Sequence, residues 1–272
     1  MSKRIIIIRS GGLGDFVLIL PVLIRALALY DEVILFTRNS YHCLVSHHSD
    51  SLSLRDVDSD LDTLREVLLD SDVITFWQDE EWKQELKDGG CRNLFFAESR
   101  PIGKFHFTEA IFLQIGWDWL DEYSKSAWLG DLWSGRQGVL WVHLGSGSLS
   151  KNAPLSSFAE LAGKWLDLKG ANRVIFSFGE ADSEVLANFE RLEISKDKRT
   201  LSVCSKNLGE LKKMMVDQAS VFLGNDSGPG HLAASLGIPT HIVFCGTSRK
   251  IWSPLGPRVQ TYESFPEASK IL

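Results

Sequence analysis

The stretch that decides the fold is Arg4-Ile-Ile-Ile-Ile-Arg-Ser-Gly-Gly-Leu-Gly-Asp15, close to the beginning of the chain. Arg4–Ile8 is a continuous β-branched run that ends at glycines, which predicts a fully buried strand. From Asp15 to Leu29, apolar residues fall on most faces of a helix, and Pro21 inside this segment predicts a kink or a break. A buried strand, a glycine turn and a helix make one βα unit of a parallel sheet.

The same alternation of short apolar runs and longer amphipathic segments continues along most of the chain, and it predicts an α/β fold with helices covering parallel sheets. In the first half the further predicted strands are Val33–Phe36, Val73–Phe76 and Leu94–Phe96, and the predicted helices are Leu61–Leu69 and Glu81–Lys87. In the second half the strands are Val139–Leu144, Val174–Phe178, Leu201–Val203, Val221–Leu223 and Thr240–Phe244, and the helices are Ser156–Leu168, Asp182–Leu192, Leu208–Ala219 and His231–Leu236.

Two regions interrupt this rhythm. Residues 40–60 are dominated by Ser, His and Asp, and residues 101–138 are rich in aromatic residues. The aromatic region is interpreted either as packing around an irregular connection or as one wall of an inter-domain cleft. Glycines cluster at its end, so we place a domain boundary there and predict domains at 1–134 and 135–272. The length of 272 residues fits two domains of roughly 150 residues each.

Composition excludes several classes of protein. The net charge of −6 provides no global positive field that would recruit nucleic acid, so no nucleic-acid partner is expected. No stretch reaches the ~20 apolar residues that span a bilayer. The four cysteines are far apart and form no C-x-x-C pair, which favours reduced thiols and a cytoplasmic location. They are Cys43, Cys91, Cys204 and Cys245.

The first loop, with Gly12 and Gly14, allows close approach of a substrate to the backbone at a helix start. A dinucleotide site is the rival interpretation and fits poorly, because Val17 stands where the third glycine of G-x-G-x-x-G would be and no carboxylate follows the next strand. Asp15 is interpreted either as a helix cap or, at the carboxyl edge of the sheet, as a general base for a sugar hydroxyl.

Two further loops carry groups suited to an anionic ligand. In His143-Leu-Gly-Ser-Gly-Ser-Leu-Ser-Lys-Asn-Ala-Pro154, hydroxyls and one lysine favour phosphate, although a plain surface loop is the alternative. In Gly224-Asn-Asp-Ser-Gly-Pro-Gly-His231, proline and glycine predict a helix start with free N–H groups suited to diphosphate. The alternative there is a capped structural turn.

These segments together resemble glycosyltransferase family 9, the ADP-heptose:lipopolysaccharide heptosyltransferase family. The most specific part is Asn225-Asp-Ser-Gly-Pro-Gly-His-Leu-Ala-Ala-Ser-Leu-Gly-Ile-Pro239, followed by Phe244-Cys-Gly-Thr-Ser248 and Trp252-Ser-Pro-Leu-Gly256. A second, independent match is the R-x-x-x-L-G-D element that ends at Asp15, with Pro21 six residues on. The resemblance covers Arg4–Leu29 and most of Val139–Gly256.

The resemblance implies a GT-B fold, in which an acceptor-side Rossmann-like domain and a donor-binding one face each other across a cleft. Compared with the family, the N-terminal domain of this chain is predicted to be shortened. It implies transfer of heptose from ADP-heptose to a lipid-linked or oligosaccharide acceptor of lipopolysaccharide type, with inversion and without metal or cofactor. It also implies a cytoplasmic protein with peripheral contact at the inner face of the inner membrane.

Site residues follow from the resemblance one by one. Asp15 corresponds to the general base, beside the acceptor-side glycines Gly12 and Gly14. Lys151 corresponds to the lysine on the donor phosphates. The remaining donor-binding residues are Ser146, Ser148, Glu184, Asp226, Ser227, Gly228 and His231. Glu180 competes with Glu184 for the acidic position.

The chain also departs from the family pattern. Ala153 stands where many members have an aromatic residue, and Gly230 where many have methionine, and both changes could reshape the donor pocket. Residues 40–138 offer no segment that matches. A non-catalytic nucleotide-sugar or saccharide binding module is therefore the alternative function, and an NAD-dependent oxidoreductase is a third hypothesis that rests on the glycine loop alone.

Overall fold

A computed structural model describes residues 3–135, 137–265 and 271. The chain forms two compact units, of which one ends at Tyr123 and the other begins at Ser124. Residues before the predicted boundary at 134/135 are hydrogen-bonded within the second unit: the amides of Leu129 and Leu132 donate to carbonyls of Ser235 and Leu236. These bonds tie the connecting segment to the second unit.

The first unit is one parallel five-stranded sheet with helices, in the strand order β3-β2-β1-β4-β5. Its strands are β1 (Arg4–Ile8), β2 (Glu32–Thr37), β3 (Leu52–Asp56), β4 (Asp72–Thr75) and β5 (Asn93–Phe96). Its helices are α1 (Leu13–Val17), α2 (Leu20–Leu29), α3 (Asn39–Val45), α4 (Glu80–Asp88) and α5 (Phe107–Gln114). Leu61–Glu66, predicted as part of an α-helix, is a 3-10 helix, and another 3-10 helix spans Asp121–Lys125.

The second unit is one parallel six-stranded sheet in the order β11-β10-β9-β6-β7-β8. Its strands are β6 (Val139–His143), β7 (Arg173–Phe178), β8 (Thr200–Cys204), β9 (Val221–Asn225), β10 (Thr240–Val243) and β11 (Val259–Tyr262). Its helices are α6 (Leu155–Leu166), α7 (Ser183–Phe189), α8 (Leu208–Gln218), α9 (Gly228–Ser235) and α10 (Arg249–Trp252), with short 3-10 helices at Leu149–Lys151, Glu180–Asp182 and Glu193–Lys196.

The break predicted at Pro21 is present. Helix α1 ends at Val17 and α2 begins at Leu20, so Pro21 occupies the first turn of a new helix, where a missing N–H costs nothing. The four isoleucines of β1 are all fully buried or nearly so, as the continuous apolar run predicts.

In each sheet, successive strands are first added on one side of the unit's first strand and then on its other side, as in doubly wound Rossmann-like sheets. The reversal lies between β1 and β4 in the first unit and between β6 and β9 in the second. In such sheets ligands bind beyond the carboxyl ends of the strands at this switch point. The loops after β1, β6 and β9 leave from these ends, and they are the three loops that the sequence singled out.

The aromatic region contributes packing to the first unit. The ring of Phe112 on α5 lies 5.8 Å from that of Trp117, 5.4 Å from that of Trp119 and 5.6 Å from that of Tyr123, measured between centroids. Within the described residues, no helix combines the length and apolar character that a bilayer crossing requires.

Candidate functional site

Asp15 lies in the first turn of α1, directly beyond the carboxyl end of β1. Its Oδ2 accepts a hydrogen bond from the Gly12 amide at 3.1 Å, so the carboxylate does cap the helix. Its Oδ1 lies 2.9 Å from Nη2 of Arg9 and 3.5 Å from Nη1 of Arg100. The side chain is 16% exposed, which leaves the carboxylate accessible as well as held.

Arg9 is a residue that sequence reasoning passed over. Its side chain is only 5% exposed, and its guanidinium carbon lies 4.2 Å from the centroid of the Phe76 ring. Burial lowers the pKa of Arg9, and the Asp15 carboxylate opposes that change. The signal was present, because an arginine that directly follows four buried isoleucines needs a partner.

The glycines of this loop serve the carboxylate. Gly11 has φ of +130°, and a Cβ there would lie 3.0 Å from Oδ2 of Asp15. Gly12 is the residue before α1 and donates its amide to Asp15, while Gly14 is the second residue of α1 and its carbonyl accepts from Leu18. Of these glycines, Gly12 is the one that bonds to Asp15, and Gly11 leaves room for its carboxylate.

In the second unit, three side chains gather around Asp226 at the carboxyl end of β9. Lys151 Nζ lies 3.6 Å from Asp226 Oδ2, and His231 Nε2 lies 3.6 Å from Asp226 Oδ1. Thr247 donates its hydroxyl to Oδ2 at 2.5 Å. The sequence predicted Lys151, Asp226 and His231 as site residues, and the fold brings all three together. Thr247 lies in the matched Phe244–Ser248 segment but was not singled out.

Asp226 is 7% exposed and stays ionised. Burial alone would raise its pKa, but His231, Thr247 and Lys151 together hold the pKa below its ordinary value. A carboxylate cannot attract phosphate by charge. Its two oxygens instead face the two basic side chains of the cluster, Lys151 and His231.

The start of α9 offers fewer amides than the sequence predicted. The amides of Gly230 and His231 both donate to the Ser227 carbonyl, and Pro229 has no N–H. Within residues 137–265 and the rest of the described chain, the amides of Ser227 and Gly228 have no acceptor. The Ser227 hydroxyl and Nδ1 of His231 are buried without a hydrogen-bond partner. Buried polar groups of this kind are satisfied by ligand or water.

Asn225 fixes the two loops to each other. Its side-chain oxygen accepts the Ala153 amide at 2.8 Å, and its side-chain nitrogen donates to the Leu144 carbonyl at 2.8 Å. The side chain is fully buried, so these two bonds hold the segment that carries Lys151 against β9.

The serines of the Gly145–Lys151 loop form a local network. Ser146 donates its hydroxyl to the Ser148 carbonyl at 2.6 Å, and the Ser148 and Ser150 hydroxyls lie 2.9 Å apart. Ser148 is exposed and Ser146 half-buried. The hydroxyls line a loop at the sheet edge, as the sequence predicted, and their role toward phosphate stays a prediction.

A buried polar group lies beneath this loop. His143 is fully within the core, with Nδ1 3.1 Å from Ser177 Oγ and Nε2 3.6 Å from Asp182 Oδ2. Burial lowers the pKa of His143, with Asp182 acting in the opposite direction. A Cβ added to Gly145 would overlap the Asp182 carboxylate, so the loop and the start of α7 are in close contact.

A family model described as glycosyltransferase family 9 (heptosyltransferase) matches residues 117–270, which is more than half of the chain. The chain belongs to glycosyltransferase family 9. The resemblance found from the motifs is thereby confirmed, and family membership supports sugar transfer as the activity of this family 9 chain. No curated protein matches the sequence.

Solved structures share the fold of this family 9 protein. The glycosyl transferase family 9 protein from Veillonella parvula DSM 2008 has a TM-score of 0.71 at 18% identity, with 98% of this chain and 89% of that one covered. E. coli heptosyltransferase WaaC with ADP has a TM-score of 0.71 at 15% identity, with 98% of this chain and 95% of that one covered. E. coli ADP-heptose lps heptosyltransferase II has a TM-score of 0.67 at 16% identity, with 95% of this chain and 89% of that one covered. The predicted GT-B class with two Rossmann-like units is confirmed.

Both departures from the family 9 pattern have a structural setting. Ala153 lines a cavity of about 180 Å³ with Leu144, Asn152, Leu155, Phe158, Val185 and Asn188. At Gly230 an added Cβ would lie 2.5 Å from Cδ1 of Ile242, so α9 approaches β10 closely there. A side chain at Gly230 would therefore require the Cδ1 methyl of Ile242 to shift.

Glu184, the predicted acidic contact of the donor, makes no ion pair with the side chains around Asp226 among the described residues. Glu184 is exposed in the first turn of α7, and Glu180 is exposed in the preceding 3-10 helix. Neither makes an ion pair or hydrogen bond with a described residue. A role for Glu184 in this family 9 protein stays a prediction. Asp182, which the sequence did not single out, is buried at the same sheet edge as Asp226.

Proposed function

We propose that this chain transfers heptose from ADP-heptose to a saccharide acceptor of lipopolysaccharide type, with inversion and without a metal ion. The observation that carries the proposal is the cluster of Lys151, Asp226, His231 and Thr247 at the switch point of the second sheet. Unsatisfied donors surround this cluster, which is what an incoming diphosphate requires.

The donor side of the reaction is assigned to the second unit. Lys151 is half-buried and supplies one positive charge for a diphosphate. The amides of Ser227 and Gly228 and the Ser227 hydroxyl supply hydrogen-bond donors without acceptors of their own. Since the helix start adds a partial positive charge, negative charge that develops on the leaving diphosphate is stabilised here.

The acceptor side is assigned to Asp15 in the first unit. Its carboxylate is held by Arg9 and by the Gly12 amide and is 16% exposed. A fixed carboxylate that retains accessible surface is suited to take a proton from a sugar hydroxyl.

The step is a single displacement. The acceptor oxygen forms a bond to the anomeric carbon as the bond from that carbon to the diphosphate oxygen breaks, which inverts the configuration. The hydroxyl proton passes to Asp15, and the electron pair leaves with the nucleoside diphosphate. General-base assistance of this kind contributes about 10²–10⁴-fold.

The proposed donor is the one named for similar proteins. One similar structure is that of WaaC with ADP, and another is described as an ADP-heptose lps heptosyltransferase. Phosphate contacts alone do not select a base, so we infer the same nucleotide for this chain from its membership of family 9 and from these similar structures. Thermal-shift measurements with ADP, UDP, GDP and CMP test the base directly, since the preferred ligand stabilises by RT ln(1 + [L]/Kd).

Two substitutions test the two halves of the proposal. Asp15→Asn is expected to lower kcat by at least ~10²-fold with unchanged ADP affinity, because only the proton transfer is lost. Lys151→Ala is expected to weaken ADP binding, and Lys169→Ala, an exposed cation after α6, is the control. Calorimetry gives the affinities, and radiolabelled transfer with and without EDTA gives the rates. Full turnover by D15N, or equal ADP affinity in K151A and wild type, contradicts the respective assignment.

A further inference from the structure

The loop between β5 and α5 ends in an apolar tip, which we define as Ile102–Phe105. Ile102 is 102% exposed and Phe105 is 51% exposed. Among the described residues of the first unit, four of the five exposed large hydrophobic side chains lie between residues 102 and 120, and the fifth is Leu69. Clustering on one segment distinguishes these side chains from the scattered apolar residues of an ordinary surface.

The two ends of the loop that carries the tip are packed into the first unit. Ala97 and Phe107, at the two ends of the loop, are both fully buried. The Ala97 amide donates to the Thr75 carbonyl at 2.9 Å, and the Glu98 amide donates to the side chain of Gln114 on α5 at 3.1 Å. The exposure of the tip therefore belongs to a loop whose ends are packed into the unit.

The loop rises from the edge of the sheet that carries Asp15. It follows the carboxyl end of β5, and Asp15 follows the carboxyl end of β1 in the same parallel sheet. Arg100, two residues before the tip, reaches Asp15 with Nη1 3.5 Å from Oδ1. Whatever holds the tip is therefore held beside the proposed general base.

Charge at the tip is positive. Lys104 is exposed between the two apolar side chains, whereas the whole chain carries a net charge of −6. An anionic surface would repel the net negative charge of the whole chain but attract Lys104. At short range the attraction of Lys104 to anionic headgroups dominates, because salt screens the more distant charges.

We propose that Ile102–Phe105 inserts into the interface of a bilayer that contains anionic lipid, with Ile102 and Phe105 at the acyl boundary and Lys104 on the headgroups. A four-residue tip is too small for the ~800 Å² per partner that a stable protein interface buries. Insertion into a bilayer needs no complementary surface, only apolar side chains and a nearby cation. The inference rests on the proposed function insofar as a lipid-linked acceptor would be presented at such a bilayer.

The test is binding of the full-length protein to vesicles of phosphatidylcholine alone and of phosphatidylcholine with phosphatidylglycerol. Removing both apolar side chains in the double variant I102S/F105S is expected to lower the partition constant at least ~10-fold on the mixed vesicles. K104S is expected to lower it about fivefold on the mixed vesicles and to leave binding to the neutral ones unchanged. The control is L69S, which removes an apolar side chain 68% exposed elsewhere in the first unit and should bind as wild type.

The results separate this proposal from the proposed function. Vesicle binding needs no donor, so loss of heptose transfer in every assay leaves it testable. With a delipidated oligosaccharide acceptor, I102S/F105S should transfer sugar at the wild-type rate. The proposal is overturned if wild type does not bind the mixed vesicles, if I102S/F105S binds them as wild type does, or if L69S loses as much binding as the double variant.

Discussion

Arg9 holds one oxygen of the Asp15 carboxylate, and the Gly12 amide holds the other. The arginine is buried against Phe76, and its Nη2 lies 2.9 Å from the Asp15 carboxylate, whereas Arg100 is 73% exposed and 3.5 Å away. A buried, charge-assisted contact fixes a carboxylate far better than an exposed one, because solvent screens the latter. Arg9 is therefore a positioning residue for the proposed base.

Arg9→Met is expected to lower kcat by roughly 10–100-fold while ADP affinity and KM for the donor stay unchanged, because a misplaced general base slows the chemical step. Methionine keeps the packing on Phe76, so the fold should survive. Arg9→Lys should recover part of the rate, since it restores charge without the planar fork. Steady-state kinetics measure all three proteins.

The matched control is Arg100→Met, which removes the exposed cation on the same oxygen of Asp15. Its kcat on a delipidated acceptor is expected to stay within about threefold of wild type. Equal losses in the two methionine variants would show that burial of Arg9 has no special role.

At the scale of elements, the site depends on how closely the loop after β6 approaches the start of α7. Gly145 leaves no room for a Cβ, because the Asp182 carboxylate occupies that space. Gly147, two residues on in the same loop, has nothing within 4 Å of a Cβ. The two glycines therefore differ in packing although they look alike in the sequence.

Gly145→Ala is expected to destabilise the protein by about 1–3 kcal/mol, since Asp182 must move from its bond with the Gly179 amide. Gly147→Ala should change the free energy of unfolding by no more than ~0.5 kcal/mol. Urea unfolding of the three proteins compares the midpoints. A midpoint for G145A equal to that of G147A would mean that the close contact does not exist in solution.

At the scale of the whole molecule, four buried groups make stability depend on pH in the same direction. Burial lowers the pKa of His241 to about 4, and it also lowers the pKa of His143. For Asp72 and Asp226 burial acts to raise the pKa, but hydrogen bonds and nearby cations outweigh it and lower the value. In each case the folded state binds protons less readily than the unfolded state, so stability present at neutral pH is lost as pH falls.

His241 allows a quantitative test. The contribution of His241 to the free energy of unfolding is fully present above pH 6.5, the ordinary pKa of histidine. It is lost as the pH falls toward the folded-state pKa of about 4. The difference between these two pKa values corresponds to a loss of about 3 kcal/mol in the free energy of unfolding between neutral pH and pH below 4. His241→Gln is expected to remove that part of the pH dependence, measured as the free energy of unfolding at pH 7 and pH 4.5. The same loss of stability in H241Q and wild type would exclude His241 as its source.

Much of the fold could be predicted from sequence because it depends on local pattern. β1 was predicted residue for residue, and the helix break near Pro21 follows from a missing N–H. The strands and α-helices that were missed are α3, β3, α5, β11 and the single-turn helix α10. Three of them lie in the two regions where polar or aromatic residues mask the apolar period, and β11 is an edge strand that is only half-buried.

The sequence by itself determined the two Rossmann-like units, the three loops at their sheet edges and the family. Strand burial, glycine turns and helix starts each depend on residues that are close together in the sequence. Only tertiary structure decided which side chains hold the site. Asn225 joins β9 to the Lys151 loop, Thr247 reaches Asp226 and Arg9 supports Asp15. These contacts arise from the order of strands in a sheet, and strand order is set by long-range packing that no local pattern records.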